Sequence, residues 1–371
     1  MAVISPRIQP QFVARASLAA AVCLLLAAAT GCGMVAAPQP PSLKLPQPVA
    51  DLTAHRAGDQ VSLHWTMPKR ATDKVLLEGK QKAAICRREA TGACVHVGSL
   101  KLLPQAEASY VDKLPAALSS GPLRPLVYLV KLQNASGRSA GPSNPAVTAA
   151  GSAPAQVASL GAHAEPDGVV LSWTPTGATE TIRIHRVLVS NAGAKPAATP
   201  KTAKNPFLAS KQTIPAEQTL EFTGPDQGRV LDHDAALDHT YTYTLQRIEN
   251  ITLEGQTVEV ASTPSVSMTI NARDLFPPAT PSGLEAVADA ESHAIDLSWQ
   301  PDTEPDLAGY RIYRRPAGSA GTPARIGAVA AAPSFRDTSA LPGHAYRYSV
   351  TAVDRDGNES SRSAEVEEML P

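Results

Sequence analysis

Four cysteines, nine histidines and 34 acidic residues in 371 are the material from which a chemical site could be made. Cys86 and Cys94 come first. Ile85, Val95 and Val97 read as core-facing, which turns Cys86, Cys94 and His96 outward on adjacent strands joined by Arg87 to Ala93. Neighbouring strands bring Cα atoms within about 4.5–5.5 Å, the separation a disulfide spans. A redox or metal role would need CxxC spacing or a cysteine–histidine cluster, and neither surrounds the pair. Asp354, Asp356, Asn358 and Glu359 alternate oxygen ligands as a calcium loop begins, but the bidentate acid further along is missing. Asp-Gly-Asn between two strands reads instead as a hairpin turn. Asp232, His233, Asp234, Asp238 and His239 are the densest His/Asp group; Asp232 belongs to a repeated element, and the others read as a solvated loop in the following turn. HExxH, GxSxG, a phosphate-binding loop and GxGxxG do not occur. No catalytic residue, metal site or cofactor is expected.

Composition narrows the classes of function. The 33 basic and 34 acidic residues give a net charge of −1. That balance argues against a nucleic-acid binder, which needs a basic footprint. Proline reaches 33 residues and aromatics only 4%. Such a composition points to β-rich modules and stiff connectors.

The amino terminus reads as an address. Arg7 and Arg15 precede an apolar run from Ala16 to Ala29, too short for a membrane-spanning helix of about 20 residues. The run ends Ala29-Thr30-Gly31-Cys32. Small residues directly before a cysteine resemble the lipobox of bacterial lipoproteins. The resemblance implies a signal peptide over 1–31, cleavage before Cys32, and acylation of that cysteine, palmitate included. The alternative is a plain secreted protein with a small-residue cleavage site. Gly33, rather than an aspartate, follows the cysteine; in enteric lipoproteins that favours the outer membrane over the inner. Residues 32–48, rich in Pro, Ala and Gln, read as a semi-rigid tether.

The remainder repeats itself. Trp65, Trp173 and Trp299 each end an alternating strand pattern. An Ile-x-Arg element follows at Ile85, Ile184 and Ile312, then an apolar-x-Asp element at Asp112, Asp232 and Asp337. Leu126/Tyr128/Val130, Tyr241/Tyr243/Leu245 and Tyr346/Tyr348/Val350 close the copies. Short strands in fixed order with Gly, Pro, Asn and Asp turns are the pattern of a β-sandwich of about 100 residues.

These elements resemble the fibronectin type III domain, most closely over Pro305-Asp306-Leu307-Ala308-Gly309-Tyr310-Arg311-Ile312-Tyr313-Arg314 and Tyr346 to Asp354. The expected fold is all-β: tandem immunoglobulin-like (fibronectin type III) β-sandwiches after a signal peptide and Pro-rich tether. The expected boundaries are 49–150, 154–273 and 279–371. The resemblance places the tryptophans between the sheets and Tyr241 and Tyr346 at tyrosine corners. Leu126 takes the corner position in the first copy, after an insertion from about Pro115 to Pro125. The spacing from Trp to the Ile element is 20, 11 and 13 residues, so the first copy carries a longer loop over Lys69–Lys82. The spacing from that Ile to the aspartate is 27, 48 and 25, which puts an insertion within Val187–Gly228 of the second copy. Lys195, Lys201, Lys204 and Lys211 lie in it and form the expected interaction site.

The tryptophans and most tyrosines take core positions, leaving Tyr313, Phe207, Phe222 and Phe276 scattered, which disfavours a sugar-binding platform. The reading is a lipid-anchored, non-enzymatic rod of the cell envelope, with sandwiches strung end to end. It would bind an unidentified envelope protein or polysaccharide through exposed edges and loops. The alternative is an accessory carbohydrate- or substrate-binding subunit of an exported enzyme system.

Overall fold

The computed structural model describes residues 43–89, 92–190, 214–253 and 255–371. The first segment holds β1 (Thr53–Ala57), β2 (Gln60–Thr66), β3 (Gln81–Glu89), β4 (Val95–Leu102) and β5 (Glu107–Lys113). A single helical turn α1 (Ala116–Ser119), β6 (Arg124–Gln133) and β7 (Ala146–Ala150) complete it. The second holds β8 (Gly161–Glu165), β9 (Gly168–Ser172), β10 (Thr179–Ser190), β11 (Glu217–Pro225) and β12 (Arg229–Asp232). Then come β13 (His239–Leu253), β14 (Gln256–Ala261) and β15 (Met268–Ala272). The third holds β16 (Glu285–Asp289), β17 (Ala294–Ser298), β18 (Leu307–Pro316) and β19 (Ala324–Ala330). It ends with β20 (Ser334–Asp337), β21 (Ala345–Asp354) and β22 (Val366–Met369).

In each segment a three-stranded sheet faces a four-stranded one. The pairs are β1-β2-β5 with β4-β3-β6-β7, β8-β9-β12 with strands β11-β10-β13-β15, and β16-β17-β20 with β19-β18-β21-β22. The chain is therefore an all-β protein of tandem sandwiches. Alternation decides what each strand buries. In β2, Val61, Leu63 and Trp65 are buried while Gln60, His64 and Thr66 are exposed. A one-residue slip would turn all three apolar side chains to water. Trp65, Trp173 and Trp299 lie in three separate apolar cores.

Three expectations need correction. The stretch expected as a tether is partly engaged: Gln47 N donates to Arg70 O at 3.2 Å and Thr72 N to Leu45 O at 2.9 Å. The long loop after Trp65 makes this possible, because it folds back on itself through an Arg70–Leu76 bridge and offers its edge to Pro46. Val95 is exposed rather than core-facing, because it sits at the frayed start of β4 beyond the register shift at Ile85/Cys86. The first two sandwiches are not merely strung end to end. β14 pairs in parallel with β1, Arg56 opposite Val260 and Ala57 opposite Ala261, which merges two sheets into one of eight strands.

Candidate functional site

The interior contains charge, and it is arranged three times alike. In the first sandwich Arg87 Nη1 lies 2.5 Å from Asp112 Oδ2, and Tyr128 Oη donates to the same oxygen at 2.7 Å. In the second, Arg186 Nη1 reaches Asp232 at 2.8–2.9 Å and Tyr243 Oη donates to it at 3.0 Å. In the third, Arg314 Nη1 is 2.7 Å from Asp337 Oδ2, to which Tyr348 Oη donates at 2.8 Å. The aspartate stands on the three-stranded sheet or at its end, and the arginine and tyrosine stand on the facing sheet. Each triad thus ties the two layers together at one point. Arg186 and Asp232 are each only 1% exposed, so this repeated aspartate is an interior residue. The buried carboxylate accepts from Arg186, Tyr243 and the Asp234 amide, and burial of a charge requires such partners.

Titration follows from this geometry. Burial pushes the Tyr128, Tyr243 and Tyr348 phenols well up, and the aspartate beside each adds to the rise. Burial alone would raise Asp337. Donation from the hydroxyl and amide of Ser339, from Tyr348 and from Arg314 outweighs it and holds the carboxyl below its usual range.

The tyrosine corners are formed. Tyr241 Oη donates to Ala236 O at 3.1 Å, and Leu341 N donates to Tyr346 Oη at 3.3 Å. Leu126, with no hydroxyl, is fully buried in their place. Cys86 and Cys94 form a disulfide with a Cα separation of 5.6 Å. It closes the β3–β4 hairpin beside the register shift. Tyr313 is half-buried on the outer face of β18, with Arg362 stacked 4.4 Å above its ring and its hydroxyl donating to Glu359. Phe222 is exposed on β11 and Phe276 half-buried, on different segments, and they form no shared platform. Cys32, Phe207, Lys195, Lys201, Lys204 and Lys211 lie outside the described residues, as does the signal segment.

One group of side chains was missed from sequence. Asp274 of the linker, Asp306 before β18 and Asp354 at the end of β21 converge with carboxylate oxygens within 4.8 Å of one another. Asp274 and Asp306 border a crevice of about 910 Å³ between Pro166 and Leu237 on one side and Pro305 and Arg355 on the other. Asp238 Oδ1 accepts from Asp274 N at 3.1 Å, and Asn358 Nδ2 donates to Asp274 O at 3.3 Å. Asp354 is already occupied: its Oδ1 accepts from the amides of Asp356, Gly357 and Asn358 at 2.6–2.9 Å. This confirms a tight turn for the Asp-Gly-Asn stretch. Burial pushes the Asp274 carboxyl up, and the neighbouring charges of Asp354, Asp306 and Asp238 push it further. Three hard oxygen donors suit a cation of the calcium type. Asp274, in the linker, and Asp306, in the third sandwich, are 32 residues apart, and nothing short of the fold brings them together.

Residues 279–369 match the family model of the fibronectin type III domain. The chain is thus a tandem-sandwich protein containing fibronectin type III structure. Over 111 residues it is 32% identical to exoglucanase B of Cellulomonas fimi, a match covering 28% of this chain and 9% of that enzyme. The chain therefore spans only about a tenth of the curated relative it matches. Among solved structures it is similar to an Fn3-like protein from Clostridium thermocellum, with 31% identity, 26% of this chain and 96% of that one covered, and a TM-score of 0.23. It is also similar to the chicken CNTN1 FN1–FN3 domains, with 14% identity, 88% and 99% covered, and a TM-score of 0.26.

Proposed function

We propose that this protein is a lipid-anchored, non-catalytic interaction rod of the cell envelope. It is built from three fibronectin type III domains at 49–150, 154–273 and 279–371. The observation that carries the reading is the threefold Arg–Asp–Tyr triad. The phenols that burial pushes up most are the ones tying each sandwich together, so they serve the scaffold rather than a reaction. Sandwiches of this kind offer loops and sheet edges as contact surfaces on a rigid frame. Acyl chains on Cys32 would hold the rod at the membrane, the outer one in a two-membrane cell, since two or more chains give stable anchoring. The segment holding Lys195, Lys201, Lys204 and Lys211 is the contact site for an envelope protein or polysaccharide.

A second reading is favoured by one observation, the match to exoglucanase B. It makes the chain an accessory binding subunit of an exported enzyme system. A polysaccharide ligand would then raise the melting temperature in proportion to the logarithm of its concentration above Kd.

Anchoring is tested by Cys32→Ser. Expressed in a bacterium and fed labelled palmitate, the wild-type chain is expected to carry label and sediment with membranes. The variant is expected to carry none and to remain soluble. Equal membrane association without label in both would overturn the anchor.

A further inference from the structure

The two junctions of this molecule are built differently. β13 pairs with β10 as far as Ile248, and from there it pairs only with β14. The β13–β14 hairpin therefore projects as an arm beyond the second sandwich. The arm lies along β1, the edge strand of the first sandwich. Gly58 N donates to Ala261 O at 2.8 Å, extending the pairing into the β1–β2 turn. Gly58 has a φ of +61°, and a Cβ there would lie 2.2 Å from the Thr263 side-chain Oγ1, so this turn is fitted to glycine beside Thr263.

Two further elements close this junction. Ala149, Val258 and Val260 are buried together, with Leu123, Val147, Ala153, Ile251 and Leu253 packed around them. These residues come from both sandwiches and from the linker between them. Arg56 is buried, and its guanidinium donates to Ala149 O at 2.7 Å, Gly151 O at 2.5 Å and Gly58 O at 3.0 Å. It ties the start of the linker to β1. From the other side Arg247 donates to Ala155 O and Gln156 O at 3.1–3.2 Å, and Gln156 Nε2 donates to Pro264 O. The linker is thus hydrogen-bonded at both ends. Among the described residues, no strand pair or apolar cluster joins the second sandwich to the third. There the linker meets a group of like charges.

We infer that the first two sandwiches form one cooperative, stiff unit clamped by the hairpin arm, with the third sandwich folding independently of it. Unfolding the second sandwich alone would strip the pairing from the edge of β1 and return Ala149 and Val147 to water. Neither sandwich therefore opens without cost to the other. The sites on these two sandwiches are held at a fixed spacing, and bending is confined to the linker around Asp274.

Native-state hydrogen exchange on the full chain, in rising sub-denaturing urea, tests this directly. In the wild-type chain the slowest amides of β2 and β6 and those of β10 and β13 are expected to merge onto one unfolding curve, with β18 and β21 on another. Leu245→Ala, in the second core, is expected to speed exchange in β2 and β6 by the same factor as in β10 and β13, on the order of a hundredfold, leaving β18 and β21 unchanged. Leu63→Ala, in the first core, gives the reciprocal reading should that variant not fold. Separate wild-type curves for the first two cores, or effects confined to the mutated sandwich, would overturn the inference.

Discussion

Asp232 shows what a single buried carboxylate does here. It receives Arg186 and Tyr243 in a site closed to water, so removing it leaves a guanidinium buried without a counter-charge. Asp232→Ala is expected to destabilise by about 3–5 kcal/mol, measured by chemical denaturation. Asp232→Leu combined with Arg186→Met is expected to recover most of that loss, because the pair is replaced by apolar volume. Asp274 has the opposite sign. Its folded pKa is raised, so stability is greatest below the unfolded carboxyl pKa and falls as pH rises through the folded one. Asp274→Asn is therefore expected to melt higher than the wild type at pH 7 and together with it near pH 3. A lower melting temperature for the variant at pH 7 would contradict the like-charge account, and scanning calorimetry reads either result. The three repeated aspartates were visible in sequence as a spacing, but their arginine and tyrosine partners became a triad only when the two sheets were stacked. Asp274 and Asp306 left no such trace, because neither belongs to a repeated pattern.

At the scale of elements, local alternation carried most of the fold. Val61-Ser62-Leu63-His64-Trp65 and its two counterparts each led into a strand, buried on alternate residues in β2, whereas in β9 Val169, Val170 and Leu171 are all buried. Cys86 and Cys94 are bridged as expected, although Val95, one of the residues whose facing argued for it, is exposed. Replacing both cysteines by alanine is expected to cost roughly 2–3 kcal/mol by freeing a short loop in the unfolded chain. The loss should appear as faster exchange in β3 and β4, and no change there would show that the hairpin is held by its ladder alone. What alternation did not show was pairing between modules. β14 has an ordinary strand sequence, and its partner lies some 200 residues earlier. Edge strands accept any extended neighbour through backbone groups, so the side chains of β1 name no particular partner. The end of the expected tether departs from expectation for a related reason: proline-rich composition describes an isolated chain, whereas Pro46 found an edge offered by the loop after Trp65, with 32–42 lying outside the described residues.

For the molecule as a whole, the sequence repeats foretold tandem sandwiches, and the structure adds how they are joined. A clamped pair followed by a third body on a charged linker would present envelope partners with one rigid surface and one adjustable one. The insertion between β10 and β11, with Lys195, Lys201, Lys204 and Lys211, belongs by sequence to the second sandwich, a member of the proposed clamped pair. The claim that this protein is an interaction rod meets its most direct test in living cells. The lipid-anchored chain would be crosslinked to its neighbours and purified, beside a variant lacking Lys195 to Lys211. The account predicts one discrete partner, captured by the intact chain and lost with the deletion. Identical recovery of bulk lipid and wall material from both proteins would contradict it.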